Sequence, residues 1–356
     1  MDNKNVFIAI ALSMSVLLFW GALFEKPNPT KEDLSQKNTQ KKIEKSNNSI
    51  TPNINESLEI QDVSREDSIG KADRIKIEND SISGSISLKG GLIDDVSFKK
   101  YKQDLKDKKN VVFLNPQETA DGYFVETGWS SIGNKIKVPS TNSIWSVVGN
   151  NVLSGNKSVT LQWKNGEGVL FKKIIELDEK YLFKISQVVE NNTNSSIDLY
   201  PYAQITRNKI PDDIQNFYIS HEGFIGVFDD ELKEDDYDDI EDKKIVREAN
   251  KGWLGITDKY WMTALVPKQG ENFKSTFLYK DAFKANYILN NPTTIKSSSS
   301  NSNDVRLFVA AKEVETIDAY AANQNIEKLD LTIDWGWFYF FTKPLFFVID
   351  YLFKLS

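Results

Sequence analysis

Residues 72–91 read ADRIKIENDSISGSISLKGG, and apolar and polar residues alternate along this stretch. Ile75 and Ile77 alternate with charged residues, and Ile82 and Ile86 alternate with serines. Because successive side chains of a β-strand point to opposite faces of a sheet, a period of two predicts two half-buried strands. The closing pair of glycines is typical of a tight turn.

The same alternation returns along the chain, in residues 159–163 (VTLQW), 183–186 (FKIS) and 306–309 (RLFV). Turn signals such as Asn-Gly and Asn-Pro separate these runs. Many short strands with turns between them, and few helical stretches, predict a mainly β protein, a large antiparallel β-sandwich over residues 72–333. One helix is expected at 313–324, where apolar residues recur at helical spacing.

Composition excludes several classes of function. The chain of 356 residues has no cysteine, and its one histidine is His221. The missing thiols exclude disulfides, thiolate catalysis and cysteine-based zinc sites, and a single histidine excludes a two-histidine metal site. A net charge of -7 argues against a nucleic-acid-binding surface, which needs basic side chains. We therefore expect no enzyme activity, no cofactor, no metal site and no nucleic-acid partner.

The N-terminus carries an apolar run, because residues 5–24 are uncharged and mostly apolar. A helix of this length is about 30 Å long, the thickness of the hydrocarbon core of a bilayer. We predict a transmembrane anchor at residues 1–24. Its characteristic residues are Val6, Phe7, Leu17, Leu18, Phe19 and Trp20. A cleaved signal peptide is the alternative, but its apolar region is shorter and a small-x-small cleavage site is missing here.

Orientation and the next segment follow from polar composition. The basic residues after the anchor outnumber those before it, and this count alone favours the N-terminus on the outer side of the membrane.

Residues 25–71 are rich in Lys, Asn, Ser and Glu and poor in apolar residues. Such a composition cannot bury enough surface to offset the entropy of ordering, so we predict a disordered tether. A segment that folds on a partner is the alternative.

Two internal features invite a functional interpretation. Residues 229–242 contain ten carboxylates, but a calcium loop requires a glycine at its sharp turn and none is present. We expect a solvated surface loop. His221 stands beside Glu222, a carboxylate that could orient it for catalysis. A single histidine next to glycine is more typical of an ordinary loop residue.

The chain closes with an aromatic stretch, for which we predict an amphipathic helix at residues 334–356. Lys343, Asp350 and Lys354 recur at spacings of seven and four, which places them on one side of a helix. This pattern favours a helix lying in the membrane interface, with its lysines extended to the lipid headgroups and Pro344 ending its first half. The interface residues are Trp335, Trp337, Phe340, Phe341, Lys343, Pro344, Phe346, Phe347 and Phe353. A core helix of the sandwich is the alternative.

Several motifs together resemble the YidC membrane-protein insertases. They are the start Met-Asp-x-x-Asn before the anchor, residues 252–256 (GWLGI) followed by 260–267 (YWMTALVP), and residues 331–337 (LTIDWGW) followed by 343–346 (KPLF). The resemblance covers the whole chain in family order. One departure is Ala-Ala-Lys-Glu at 310–313, where family members often have Gly-Pro-Lys-Glu.

The resemblance implies a fold and a location. Members of that family have an N-terminal spanning helix, a periplasmic supersandwich similar to galactose mutarotases, an interfacial helix and a five-helix insertase core. It therefore implies a bacterial inner-membrane protein with a cytoplasmic N-terminus and a periplasmic main domain, against the charge count. We expect this chain to be the N-terminal portion without the core. The implied partners are the lipid bilayer, nascent or inserting membrane proteins, and components of the Sec translocon.

Two functions remain open at the level of sequence. The first is a membrane protein insertase or chaperone, which needs no covalent chemistry. The second is a membrane-anchored periplasmic module that binds carbohydrate or docks partner proteins without catalysis. Tryptophan side chains could stack on sugar rings, although burial in a sandwich core is their commoner fate. These candidates are Trp129, Trp145, Trp163, Trp253 and Trp261.

Overall fold

A computed structural model describes residues 63–104, 108–212, 214, 220–336 and 339–355. The predicted anchor at 1–24, with its six characteristic residues, lies outside these ranges. None of the helices within them is long and apolar enough to cross a membrane.

Twenty strands account for about half of the described chain. They are β1 (Arg74–Glu78), β2 (Ile82–Ser87), β3 (Leu92–Lys102), β4 (Asn110–Leu114), β5 (Tyr123–Ser130), β6 (Ser146–Val148), β7 (Val152–Leu153), β8 (Val159–Lys164), β9 (Val169–Leu177), β10 (Leu182–Asn191), β11 (Ile197–Arg207), β12 (Gly223–Phe228), β13 (Glu231–Asp235), β14 (Ile245–Ala249), β15 (Gly252–Thr257), β16 (Trp261–Val266), β17 (Phe273–Lys280), β18 (Ala282–Leu289), β19 (Thr293–Ile295) and β20 (Ser299–Ala311).

Four α-helices accompany the strands: α1 (Arg65–Gly70), α2 (Tyr237–Asp242), α3 (Val314–Asn323) and α4 (Tyr339–Leu355). Short 3-10 turns occur at Ile132–Asn134 and Leu329–Thr332. The helix predicted at 313–324 is confirmed, because α3 occupies that position.

The strands form two sheets. One has eleven strands in the order β14-β17-β18-β11-β5-β3-β2-β1-β7, with β19 paired to β11 and β4 to β3. The other has nine strands in the order β13-β12-β15-β16-β20-β10-β9-β8-β6. The predicted mainly β fold with two sheets is confirmed. The pairing is antiparallel, as predicted, except that β1 and β7 run parallel.

The core lies between the sheets, and the period of two places the side chains there. In β9, Val169, Phe171 and Ile175 are buried, while the alternate residues of the strand are half-exposed or exposed. Lys173 occupies the same inner row and is also buried. Its Nζ donates a hydrogen bond to the carbonyl oxygen of Gly91 at 3.1 Å, and burial lowers the pKa of this amine to about 8.

Close approach of two strands explains the glycine within β2. A Cβ atom on Gly84 would lie 1.9 Å from the carbonyl oxygen of Asp95 in β3. The ladder between these strands also has an irregularity between Ser85 and Ile86. Glycine is thus required at this position by the neighbouring backbone.

The end of the predicted disordered tether is ordered, which corrects that expectation at the boundary with the sandwich. Ser64 caps α1, its Oγ accepting a hydrogen bond from the backbone N–H of Asp67 at 3.1 Å. Arg65 forms an ion pair with Asp95, which is buried in the sandwich. A tertiary ion pair and a cap therefore order a helix that composition alone did not indicate.

The acidic segment 229–242 is not a loop, so that expectation was wrong. It forms strand β13 and helix α2. Two apolar residues among the carboxylates, Tyr237 and Ile240, are buried and belong to the main core. Their burial holds the segment against the domain while the acidic side chains face outward, except Asp235, which is buried and pairs with Arg247. Within the described residues, acidic and histidine side chains form no cluster suited to a metal ion.

Candidate membrane interface

Helix α3 is fixed to the sandwich by polar side chains at its beginning. Both oxygens of the Glu313 carboxylate accept hydrogen bonds, Oε1 from the hydroxyls of Tyr101 and Tyr181 at 2.8 Å each, and Oε2 from Thr316 at 2.7 Å. Burial acts to raise the pKa of this carboxyl, but the three hydroxyl donors lower it below its ordinary value. Helix α3 is thus held firmly against the sandwich.

Helix α4 contacts helix α3 through Lys343. The Nζ of Lys343 lies 3.3 Å from Oδ1 of Asp318 on α3. The same ammonium lies 5.8 Å from the centroid of the Trp335 ring, within reach of a cation–π interaction. The sequence predicts that Lys343 extends to lipid headgroups. In the structure its ammonium pairs with Asp318 of the domain.

Trp335, which precedes α4 in the chain, makes a second set of contacts with this helix. Its ring meets that of Phe346 edge to face, with 5.4 Å between centroids. Its carbonyl oxygen accepts a hydrogen bond from the hydroxyl of Thr342 at 2.8 Å. Lys343 and Phe346 are three residues apart and so share one side of α4. On that side, Lys343 pairs with Asp318 of the domain and Phe346 packs on Trp335.

The opposite side of α4 is an exposed apolar surface. Phe341, Leu345, Val348 and Leu352 recur at spacings of four, three and four, which places them on one face of the helix. Phe341 is 64% exposed, Val348 55% and Leu352 59%. We call these four residues the outer face. The alternative of a core helix is wrong, because a core helix would bury them.

Pro344 does not end the first half of the helix, contrary to the prediction. Pro344 lies inside α4, which continues to Leu355. The missing N–H removes the hydrogen bond that would reach the carbonyl of Phe340, close to the start of the helix. The loss of one bond there leaves the following turns intact. Among the other predicted interface residues, Phe340 and Phe347 are exposed, whereas Trp337 and the side chain of Phe353 lie outside the described part.

Asp318 was missed as a docking residue in the sequence. Its helix was predicted, but Asp318 was only one of several polar residues on the side away from the apolar stripe. The one sequence signal for such a partner is Lys343, an isolated lysine in an apolar stretch. A lysine that is removed from water needs an anion close to its charge. Which acidic residue supplies that anion depends on how α3 and α4 pack.

The other candidates from the sequence are His221 and the five tryptophans, and the structure describes the contacts of each. His221 places Nε2 at 2.9 Å from the carbonyl oxygen of Phe224 and Nδ1 at 3.5 Å from Asp236, so it ties a loop to strand β12. The five candidate tryptophans do not form a stacking platform. Trp129, Trp145 and Trp253 are buried, and Trp163 and Trp261 pack partly buried against the core.

Residues 74–348 match the family model of the YidC periplasmic domain. The chain belongs to the YidC family. A membrane protein insertase YidC of Pelagibacter ubique (strain HTCC1062) is 45% identical over 357 residues, which are 100% of this chain and 63% of that protein. The YidC of Rickettsia bellii (strain OSU 85-389) is 38% identical over 99% of this chain and 63% of its own length. The chain thus spans less than two thirds of these YidC relatives.

Two solved structures similar to this YidC-family chain are described as relatives of galactose mutarotase. A galactose mutarotase related enzyme from Lactobacillus acidophilus aligns with 67% of this chain and 97% of its own, with 13% identity and a TM-score of 0.45. A galactose mutarotase-like protein from Lactobacillus casei ATCC 334 aligns with 67% of this chain and 100% of its own, with 12% identity and a TM-score of 0.45. No conclusion about activity rests on these similarities.

Proposed function

We propose that this chain acts as part of a membrane protein insertase of the bacterial inner membrane. In this proposal residues 1–24 anchor the chain with the N-terminus in the cytoplasm, and residues 25–64 link the anchor to the periplasmic sandwich. Residues 334–356 lie in the membrane interface. The family membership supports the proposal, together with the 45% identity to a named insertase over the whole chain. The partners are lipid, inserting membrane proteins and the Sec translocon.

The outer face of α4 carries this proposal. Large apolar side chains in water are unfavourable by roughly 25 cal/mol for each Å² of apolar surface, so a lipid surface that covers them stabilises the bound state. Lys343 of α4, whose charge is unfavourable in the hydrocarbon of a bilayer, is turned to the domain and pairs with Asp318. A helix lying flat can therefore immerse its outer face while Lys343 stays out of the hydrocarbon.

The domain has a mechanical role in this proposal. Because α4 is joined to α3, and α3 is fixed by Glu313 to Tyr101 and Tyr181, the sandwich sets which side of α4 faces the lipid. An inserting segment next to such a helix would meet a locally ordered apolar surface. No bond is made or broken, because apolar segments enter lipid spontaneously once the barrier is lowered.

Depth measurements on the full chain test the proposal. Since the chain has no cysteine, single substitutions Val348→Cys and Leu352→Cys each carry one nitroxide label in liposomes of phosphatidylethanolamine and phosphatidylglycerol. Asp330→Cys, before α4, is the control. We expect the two outer-face labels to be accessible to oxygen and shielded from a water-soluble nickel reagent, and the control to show the reverse. Equal water accessibility of all three would contradict the interfacial helix.

The insertase role has a separate test. A photo-crosslinking amino acid at Leu345 of the full chain should capture a membrane protein halted during its insertion into inner-membrane vesicles. The same amino acid at Ser299, on the distant β20 strand, should not. If Leu345 captures lipid alone while insertion proceeds, the helix lies in the interface but does not serve inserting clients.

A further inference from the structure

A polar cavity of about 470 Å³ opens at one end of the sandwich. Its three walls are the turn between β16 and β17, the segment that leads from β18 into β19, and the beginning of β20. The structure describes the chain without a gap from residue 220 to residue 336, which includes all three walls and the residues on either side of them. No residue of α4 lines the cavity.

Hydrogen bonds fix the walls relative to one another. The backbone N–H of Asn290 donates to the carbonyl oxygen of Asn272 at 2.9 Å and joins the first wall to the second. The Nδ2 of Asn301 donates to the carbonyl oxygen of Thr294 at 3.3 Å and joins the second wall to the third. The cavity is therefore formed by the fold itself, as is usual for sites that bind small molecules.

The cavity has a buried amide in its lining that lacks a protein partner. Asn303 is 5% exposed, and among the described residues no group accepts a hydrogen bond from its Nδ2. It belongs to the inner row of β20, which continues with the apolar residues Val305 and Leu307. Buried polar groups are nearly always hydrogen-bonded, and an apolar side chain would serve the packing of this row equally well. The two N–H donors of Asn303 therefore indicate an acceptor that enters the cavity.

The other lining residues define the character of that acceptor. Lys268 and Glu271 are the ionisable residues of the lining, and they pair with each other, so the walls carry no net charge. Leu289 and Pro292 provide apolar contacts. The remaining polar side chains are amides and hydroxyls, which both donate and accept hydrogen bonds. They belong to Asn272, Asn291, Thr293, Thr294, Asn301 and Ser302. Such walls suit a neutral molecule with several hydroxyl groups better than an ion.

We propose that this cavity binds a small neutral polyhydroxylated molecule of the size of a monosaccharide, with one of its oxygens accepting a hydrogen bond from Asn303. A volume of about 470 Å³ is in the range of small-ligand sites. No lining residue is aromatic, so the affinity depends on hydrogen bonds that replace those to water, and each of these contributes little. The dissociation constant is therefore expected in the millimolar range. The site is independent of α4 and of its contact with lipid.

Ligand-observed NMR on the full chain tests the proposal. The chain is kept in dodecylphosphocholine micelles, since a sugar-based detergent would compete, and glucose is titrated while saturation transfer from the protein is recorded. The signal of glucose should saturate in the millimolar range, and glucose 6-phosphate, which adds charge to the same ring, should bind more weakly. No saturable signal up to about 100 mM glucose would mean that water alone meets the donors of Asn303, and would overturn the proposal. Tighter binding of the phosphate would also overturn it.

Two variants of similar side-chain shape separate a ligand contact from a structural role. Asn303→Leu removes the donors and should weaken glucose binding at least about tenfold, while the urea midpoint stays the same or rises, because an unpartnered buried amide does not stabilise the fold. Gln187→Met is the control. Gln187 lies opposite Asn303 on β10 and its buried amide also lacks a partner among the described residues, but it does not line the cavity. This control should bind glucose normally. Unchanged binding by Asn303→Leu, or equal losses in both variants, would contradict the proposal.

A third variant covers a folding defect in Asn303→Leu. Asn291 lies on the exposed rim of the cavity, so Asn291→Ala leaves the core of the sandwich unchanged. It should weaken glucose binding about threefold through the loss of one hydrogen bond. If Asn303→Leu does not fold, unchanged binding by Asn291→Ala would overturn the proposal.

Discussion

The ammonium of Lys343 on α4 lies 3.3 Å from the carboxylate of Asp318 on α3, and this ion pair joins the terminal helix to the sandwich. Its side chains are 28% and 35% exposed, so the pair is only partly shielded from water. Such pairs contribute about 1 kcal/mol or less. The pair therefore adds little to the stability of the fold. Its main effect is to set which side of α4 faces the domain.

Removal of either partner should loosen α4 without unfolding the sandwich. We expect Lys343→Ala and Asp318→Ala to speed hydrogen exchange in α4, and to change the free energy of unfolding of the domain by less than about 1 kcal/mol. The exchanged pair, Asp318→Lys with Lys343→Asp, should recover most of the protection. Unchanged exchange in both single variants would show that Trp335 alone holds the helix.

A charge on the outer face of α4 should weaken lipid binding. Leu352 is 59% exposed, so Leu352→Asp leaves the packing of the domain unchanged but places a carboxylate where lipid would be. With a nitroxide label at Val348 of the full chain in anionic liposomes, we expect Leu352→Asp to raise the accessibility of the label to a water-soluble nickel reagent at least about tenfold, given a cost of roughly 2.5–3.5 kcal/mol for a charge deep in a bilayer and less at its surface. The measurement is made on the helix itself because the proposed anchor would hold either variant on the liposome.

The matched control for the outer face is a substitution on a strand. Val246 on β14 is 47% exposed, and Val246→Asp adds the same charge to the domain away from α4. With this substitution the label at Val348 should stay shielded nearly as in the unaltered chain. An equal rise in accessibility in the two variants would mean that net charge, and not the outer face, controls the position of α4.

Buried Lys173 should make stability depend on pH in the alkaline range. Burial lowers its folded-state pKa to about 8, whereas the unfolded value is about 10.4. Between these values the unfolded chain binds more protons than the folded one, so the contribution of Lys173 to stability rises with pH. We expect this rise to be about 1 kcal/mol per pH unit between pH 8 and 10.

Substitution isolates that contribution. Lys173→Met keeps the length of the side chain, and the difference in free energy of unfolding between the unaltered chain and this variant should increase in favour of the unaltered chain over that range. Lys172→Met changes the adjacent residue, which faces outward and pairs with Glu190, and should show no such trend. Urea titrations at several pH values measure both. Parallel curves for all three proteins would contradict a lowered pKa.

The backbone contact at Gly84 should not tolerate a methyl group. Gly84→Ala places a Cβ 1.9 Å from the carbonyl oxygen of Asp95, so β2 and β3 must separate. We expect a loss of about 3 kcal/mol or more in stability, at the upper end of overpacking effects. Gly70→Ala, where nothing lies within 4 Å of the new Cβ, should be nearly neutral. Thermal melts compare the two, and similar melting temperatures would show that the strands adjust.

Much of the fold could be predicted because its signals are local. The alternation around Ile75 and Ile77 needs only neighbouring residues, and it indicated strands that the structure contains. The prediction failed at residues 229–242, where ten carboxylates outweighed two apolar residues. Tyr237 and Ile240 nevertheless decide the local structure, because burial of two large side chains offsets the solvation of an exposed acidic face.

The mainly β architecture, the apolar helix α4 and the family can all be predicted from the sequence, since each depends on periodicity or on motifs within a few residues. Three features can be seen only in the folded chain: the side of α4 that is turned to the domain, the pairing of Lys343 with Asp318, and the pairing of Arg207 with Asp258. These partners are 25 and 51 residues apart in the chain. Their meeting depends on how helices pack and on which strands become neighbours, and no local pattern encodes either.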